Sequence, residues 1–437
     1  MNLNTRSLSI NRTRIIQWSK LVGVTGFTQA IVQFVGLICG VLVIRLLPTH
    51  EYALYTLANT MLGTMIVLAD GGIATATMSE GGKVWQDRKK LGAVIVTGLN
   101  LRRTFALISL PISLSILLYL LRHHGASWIL SILIVVSIIP AFFVMLQGGI
   151  LEISPRLRQD IVKLQKIRVI SSLGRLAILG LTIFTFPFAV VALSAASVPQ
   201  IWANARFRSI SSHYSDLKQK VDSAVKARIL RMVWRLLPEA VYYCISGQIA
   251  IWLISVFGST DSVAQIGALS RLGIVLSFFS ILFANLVAPR FARLPPNPKI
   301  LLSRYWQIHA GLILLCVSIV WFVWLFSTQI LWVLGPNYFG LDTELVLMTI
   351  SSCLGFFYGA SFWLGTYRSW VIKPIIFISI SVVTTIIAIL MIDTSTLRNI
   401  IILNIIVTLI EVITLTVFNI LKMRNIAPIL SGDEETS

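Results

Sequence analysis

Acidic side chains are scarce in this chain: 17 Asp and Glu stand against 36 Lys and Arg in 437 residues. Charged residues of either sign make up only 12 %. A soluble domain carries roughly a quarter, so there is too little polar surface for a water-facing globule. Cysteine is equally sparse. Cys39, Cys244, Cys316 and Cys353 all lie in apolar stretches, with no CxxC and no Cys/His ligand spacing. That excludes a disulfide framework and a spaced metal motif, and leaves them as small apolar packing residues. The five histidines are scattered, with only His123 and His124 adjacent. No P-loop is present, which argues against direct ATP use. No nucleophile–base arrangement stands out, so an enzyme is not expected, and neither is a cofactor.

What the chain has in abundance is apolar length. The apolar fraction is 56 % and the mean hydropathy is +0.86. A membrane-spanning helix needs ~20 mostly apolar residues. About twelve such stretches are read, near 21–46, 52–78, 104–121, 128–150, 168–186, 188–205, 237–257, 262–287, 307–327, 344–366, 374–392 and 400–421. The N-terminus is polar up to the first of them, and that stretch is too long for a signal-peptide h-region, so it is expected to stay in the membrane.

Every second connecting segment is loaded with Lys and Arg. They cluster before Lys20, in 79–103, 152–175, 206–235, 288–306 and 367–373, and in the C-terminal tail. Only Arg45, Arg122, Arg271 and Arg398 fall elsewhere. Basic loops stay in the cytoplasm. Both termini are therefore expected there, in a multi-pass protein of a bacterial inner membrane. The net charge of +19 needs no nucleic acid, because basic loops meet anionic lipid headgroups.

The longest hydrophilic segment, 206–235, divides the chain into a six-span lobe (1–205) and a second six-span lobe with a short tail (236–437). Leu217, Val221, Val225, Ile229 and Met232 or Val233 recur in it at helical spacing. An amphipathic basic helix at the cytoplasmic interface is expected. The halves look like distant copies. Pro48-Thr49-His50-Glu51-Tyr52-Ala53 opens span two, and Gly258-Ser259-Thr260-Asp261-Ser262-Val263 opens span eight. Ala58 then falls on Ala268. Transporters commonly use such repeats, with a site between them.

The stretches RLLPTHEYALY and LADGGIATA, behind a Gly- and Gln-punctuated first span, resemble the opening of bacterial polysaccharide and oligosaccharide flippases. These belong to the superfamily that also holds multidrug exporters. A looser echo runs through GQIAIWLISVFGSTDSVAQIGALSRLGIVLSFFSILFANLVAPRFA. The resemblance implies an all-α protein of two six-helix lobes around a central cavity, working by alternating access. It implies an oligosaccharide on undecaprenyl diphosphate as cargo, moved from the cytoplasmic to the periplasmic leaflet. Membrane lipids, a polysaccharide polymerase and glycosyltransferases are the partners it suggests. Some drug-exporter relatives carry an acid in the first helix, and span one here has none. A cation-coupled drug exporter and a non-transporting scaffold for glycan assembly remain the alternatives. A polymerase or ligase would carry a large external loop, and the largest here is about 16 residues, near 328–343.

Ionisable residues at membrane depth are expensive, so they are the candidates to weigh. Arg271 lies roughly 13 Å into span eight at ~1.5 Å rise per residue; it suits either a diphosphate fork or a salt bridge. Arg175 lies in the inner part of span five, where it lines a vestibule or snorkels. Arg102 and Arg103 stand at the inner mouth of span three, and snorkelling to headgroups is the simpler reading. Asp70 pairs with Arg175 or Arg102, or meets sugar hydroxyls or a cation. Glu239 suits the inner start of span seven, where a helix N-terminus favours a carboxylate. Glu411, near the middle of span twelve, is a candidate coupling acid or is hydrogen-bonded, with Asn404 one partner. Gln29 and Gln33 share a face of span one. Tyr242, Tyr243, Ser246 and Gln248 cluster in span seven, with Asn59 and Asn285 in spans two and eight. All suit sugar hydroxyls or interhelical hydrogen bonds.

Overall fold

The computed structural model describes residues 26–425 apart from 272, 293, 296, 369 and 371. The protein is all-helical, with no strand among the described residues. It clusters into two compact units, Met1–Ile249 and Ala250–Ser437. Helices occupy the position of each of the twelve expected spans. Nine helices among the described residues are long and apolar enough to cross a membrane. Those covering spans five and six fall short because basic and small polar residues interrupt them. The expected cytoplasmic placement of the termini concerns residues outside the described ones.

The first unit holds α1 (Gly26–Leu46), α2 (Thr49–Asp70), α3 (Ile73–Lys83), α4 (Arg88–His123), α5 (Trp128–Leu151), the short α6 (Ile153–Leu157), α7 (Ile161–Ile183), α8 (Ala189–Tyr214) and α9 (Ser223–Ser246). The motif PTHEYALY does structural work at one end of this bundle. Glu51 Oε2 accepts the Ala189 N–H at 2.8 Å, placing a carboxylate on the N-terminus of α8. Tyr52 behind it is fully buried.

Three expected elements differ. The span read over 237–257 divides after Ser246, and a new helix starts at Ile249. The span read over 52–78 is broken into α2 and α3 at Gly71-Gly72, whose φ values of 47° and 89° lie in the left-handed region. Hydropathy runs straight through this point. The backbone stops because two residues without Cβ can turn there cheaply. The helix expected across 206–235 is likewise not continuous. Residues up to Tyr214 extend α8, and α9 starts afresh at Ser223.

Asp222 caps α9, accepting the N–H groups of Ala224 at 2.8 Å and Val225 at 3.1 Å. Its own N–H bonds to Thr97 Oγ1 on α4 at 3.1 Å. The connecting loop lies so tightly on α4 that a Cβ at Gly92 would stand 2.1 Å from the Asp216 carbonyl oxygen. Val225, Ile229 and Val233 face inward and pack with Ile73, Leu91 and Ile95. The apolar face of this basic helix therefore rests on the first bundle rather than on lipid. Glu239 follows Pro238 inside α9 rather than opening a helix.

The second unit contains α10 (Ile249–Phe257), α11 (Thr260–Ser270), α12 (Gly273–Leu282), a π-helical turn at Phe283–Val287, α13 (Ala288–Ala292), α14 (Pro298–Leu325), α15 (Ser327–Leu334), α16 (Asp342–Thr366), α17 (Pro374–Met391) and α18 (Leu397–Arg424). Its core gathers Phe283, Phe291, Tyr305 and Phe356. The 258–263 segment opens α11 as its counterpart opens α2, with Ser259 as N-cap on Ser262 N–H. Ala58 and Ala268 are both fully buried. Large apolar side chains point outward in both units, Leu181 and Leu390 among them, at 78 % and 80 % exposed. That surface suits lipid.

Candidate functional site

Charge inside the first unit is organised in two different ways. Arg102 is 6 % exposed and does not snorkel. Its Nε donates to Asp70 Oδ1 at 2.7 Å, its Nη2 donates to the same oxygen, and its Nη1 donates to the Leu146 carbonyl. Asp70 Oδ1 also accepts the Ala74 N–H at 3.0 Å, so the carboxylate ties the Gly71-Gly72 break to α4 and α5. A buried pair with this many hydrogen bonds is a structural clamp. Arg103, one residue on, turns to the exposed side of α4.

Arg175 is built differently. It lines a cavity of about 240 Å³ formed by α2, α5, α7 and α8. Tyr55, Asn59, Ser197 and Gln200 supply the other polar groups of the wall. Arg175 forms no ion pair among the described residues, and its Nε is buried without a hydrogen-bond partner. A buried donor left unpaired costs ~1–3 kcal/mol.

A second cavity of about 240 Å³ adjoins through Gln200, which lines both. Gln29 of α1 lies in its wall with Ser171, Ser172 and Arg168 of α7. Ser171 donates to the Pro199 carbonyl at 3.2 Å, across to α8. Glu152, at the end of α5, is the acid of this wall, and Arg156 and Arg168 both bond to it.

The remaining sequence candidates are spread out. Gln33 is half-buried on α1, and Tyr242 and Gln248 are half-buried near the end of α9. Arg271 caps the C-terminus of α11, its N–H on the Ala268 carbonyl at 3.2 Å. In the second unit the Ser381 hydroxyl of α17 donates to Glu411. Asn404, the partner suggested for Glu411, instead donates to Ser351 Oγ at 2.9 Å. The side chains of Glu239, Tyr243 and Asn285 lie outside the described ones. The structure thus brings Arg175 and Gln29 into adjoining cavities and pairs Asp70 with Arg102. It adds Gln200, Ser197, Arg168 and Glu152, whose isolated polar letters in the sequence carried no such signal.

No family model matches the chain, and no curated protein sequence matches it. Solved structures do. A multidrug resistance transporter of the MATE family and MOP superfamily, in an inward-facing conformation, aligns with TM-score 0.67 at 17 % identity, over 91 % of this chain and 94 % of that one. An outward-facing conformation of such a transporter aligns with TM-score 0.64 at 16 % identity, over 93 % and 97 %. A MOP superfamily transporter from Pyrococcus furiosus, described as having a binding pocket of reversed polarity, aligns with TM-score 0.61 at 16 % identity, over 93 % and 96 %. The fold is that of MOP superfamily transporters, and the chain is a multi-span membrane protein.

Proposed function

We propose that this protein is a flippase that moves a lipid-linked oligosaccharide, carried on undecaprenyl diphosphate, from the cytoplasmic to the periplasmic leaflet of a bacterial inner membrane. The observation that carries the reading is Arg175: a half-buried guanidinium in a polar cavity, outside any ion pair among the described residues, with an unpartnered Nε. Such a group suits the fork geometry of a diphosphate. The adjoining acid, Glu152, is already paired with two arginines, so neither cavity wall offers a free carboxylate to a cation. A diphosphate-sugar head crosses hydrocarbon only at high cost, and a polar cavity removes most of it. The compared structures are described as inward- and outward-facing, which supports alternating access as the mode here. Both lobes, the basic cytoplasmic loops and cytoplasmic termini belong to this proposal, as does contact with a polymerase and glycosyltransferases.

The test is leaflet assignment of the labelled lipid-linked intermediate in spheroplasts, with an impermeant lectin or glycosidase. A strain without the protein should hold the intermediate on the cytoplasmic leaflet, and Arg175→Ala should do the same while accumulating normally. Periplasmic exposure of the intermediate at wild-type levels in the deletion strain overturns the reading. The second reading, a cation-coupled drug exporter, is favoured by the multidrug transporters among the compared structures. It predicts unchanged surface polysaccharide and raised sensitivity to cationic compounds.

A further inference from the structure

The second cavity of the first unit plays no part in holding an anion, and its chemistry differs from that around Arg175. Its wall draws Gln29 from α1, Glu152 from the end of α5, Arg168 and Ser172 from α7, and Gln200 and Phe207 from α8. Glu152 is only 7 % exposed, yet Arg168 and Arg156 close its carboxylate. The wall therefore presents no unneutralised acid to a metal ion or a cationic drug. Among the described residues no cluster of His, Cys, Asp and Glu could hold a metal. What it does present are two amides that both donate and accept, a hydroxyl, a guanidinium already paired with a carboxylate, and an aromatic ring. A near-neutral set rich in both donors and acceptors matches an uncharged polyhydroxyl ligand with apolar ring faces. Gln200 lies in both walls, and Ser172 and Arg175 stand about one turn apart on α7, so one ligand passing Gln200 reaches both.

We infer that this second cavity is the glycan subsite, taking the sugar next to the diphosphate while Arg175 takes the diphosphate. The inference rests on the flippase reading above. The test uses the full chain in lipid nanodiscs, with the four native cysteines removed and one thiol introduced at a time. Asn59→Cys places it in the Arg175 cavity and Ser172→Cys in the second. Two ligands are compared: undecaprenyl diphosphate, and the lipid-linked intermediates extracted from a strain lacking this protein. At ligand near ten times Kd, the extract should slow maleimide labelling of both thiols about tenfold. Undecaprenyl diphosphate should slow labelling only at Asn59→Cys. Protection of Ser172→Cys to the same extent by both lipids overturns the glycan subsite and leaves the anion reading standing. So does protection by the extract at Asn59→Cys alone. Failure of both lipids at both thiols overturns the flippase reading with it. A second measurement does not depend on labelling. Gln29→Ala should weaken binding of the extract about fivefold, the loss of one hydrogen bond, and leave undecaprenyl diphosphate binding unchanged. An equal loss for both ligands marks Gln29 as merely structural and overturns its place in the subsite.

Discussion

Arg102 and Arg175 carry the same group in the same bundle and should answer truncation in opposite ways. Arg102→Ala leaves Asp70 behind as a largely buried charge without its cation. Removing one partner of such a pair costs about 3–5 kcal/mol. We expect lower accumulation and a clear fall in melting temperature in detergent, with partial recovery on adding Asp70→Asn. Arg175 forms no ion pair among the described residues, so Arg175→Ala strands no acid there and should melt as wild type does and lose export. A stable, unchanged Arg102→Ala protein would show that the clamp contributes little. Opposite charges near the inner ends of adjacent spans made the Asp70 pairing readable from sequence. Which of Arg102 and Arg103 turns inward was not, because successive helical residues point about 100° apart and the pattern around them is apolar on several sides. The Arg175 cavity was half readable. The arginine was one candidate among several, with Arg271 foremost, and Gln200 and Ser197 join it only through the packing of α8 on α7.

At the scale of elements, α9 shows which contacts dominate a docked helix. Its apolar stripe was visible in the sequence at positions 225, 229 and 233. Its partner was not, because amphipathicity reports that a face is covered and not by what. Two kinds of contact hold it. Arg228 Nε donates to Glu80 Oε2 at 2.7 Å from a half-exposed position, and Ile229 is fully buried. Exposed pairs contribute on the order of 0.2–1 kcal/mol, while a buried Ile→Ala costs about 2–5 kcal/mol. Ile229→Ala should therefore speed hydrogen exchange throughout the start of α9, and Arg228→Ala should barely change it. The reverse order would make the ion pair the anchor. Burial alone would raise the Glu80 carboxyl, but Lys83 and Arg228 outweigh it and hold it below the usual carboxylate range. An acid depressed in this way adds stability above its unfolded value and loses it as pH falls through its folded one. The protection factors of α9, with the intrinsic pH dependence of amide exchange divided out, should then be flat through neutral pH and fall only below about pH 4.

At the scale of the whole molecule, the run of spans was readable because the bilayer sets span length. The breaks at Gly71-Gly72 and between α9 and α10 were not, since hydropathy registers length without registering backbone turns. The orientation makes its own prediction. In a background without native cysteines, Lys220→Cys and Asn337→Cys, both at exposed positions, should react with an impermeant thiol reagent from opposite sides of the membrane. Labelling of Lys220→Cys in intact spheroplasts would invert the topology.

The docking of α9 also bears on how such a chain can recombine. The sequence pattern divides the chain in the hydrophilic stretch between the halves, but the packing division comes later, at Ile249–Ala250. A crossover between relatives within 215–222 would hand the first bundle a foreign α9, with Val225, Ile229 and Val233 replaced against Ile73, Leu91 and Ile95. A crossover at Gly247 would keep that inherited surface whole. Exchange of halves among related chains should therefore have been tolerated at the later point, and the first half inherits together with a helix that the sequence assigns to the second.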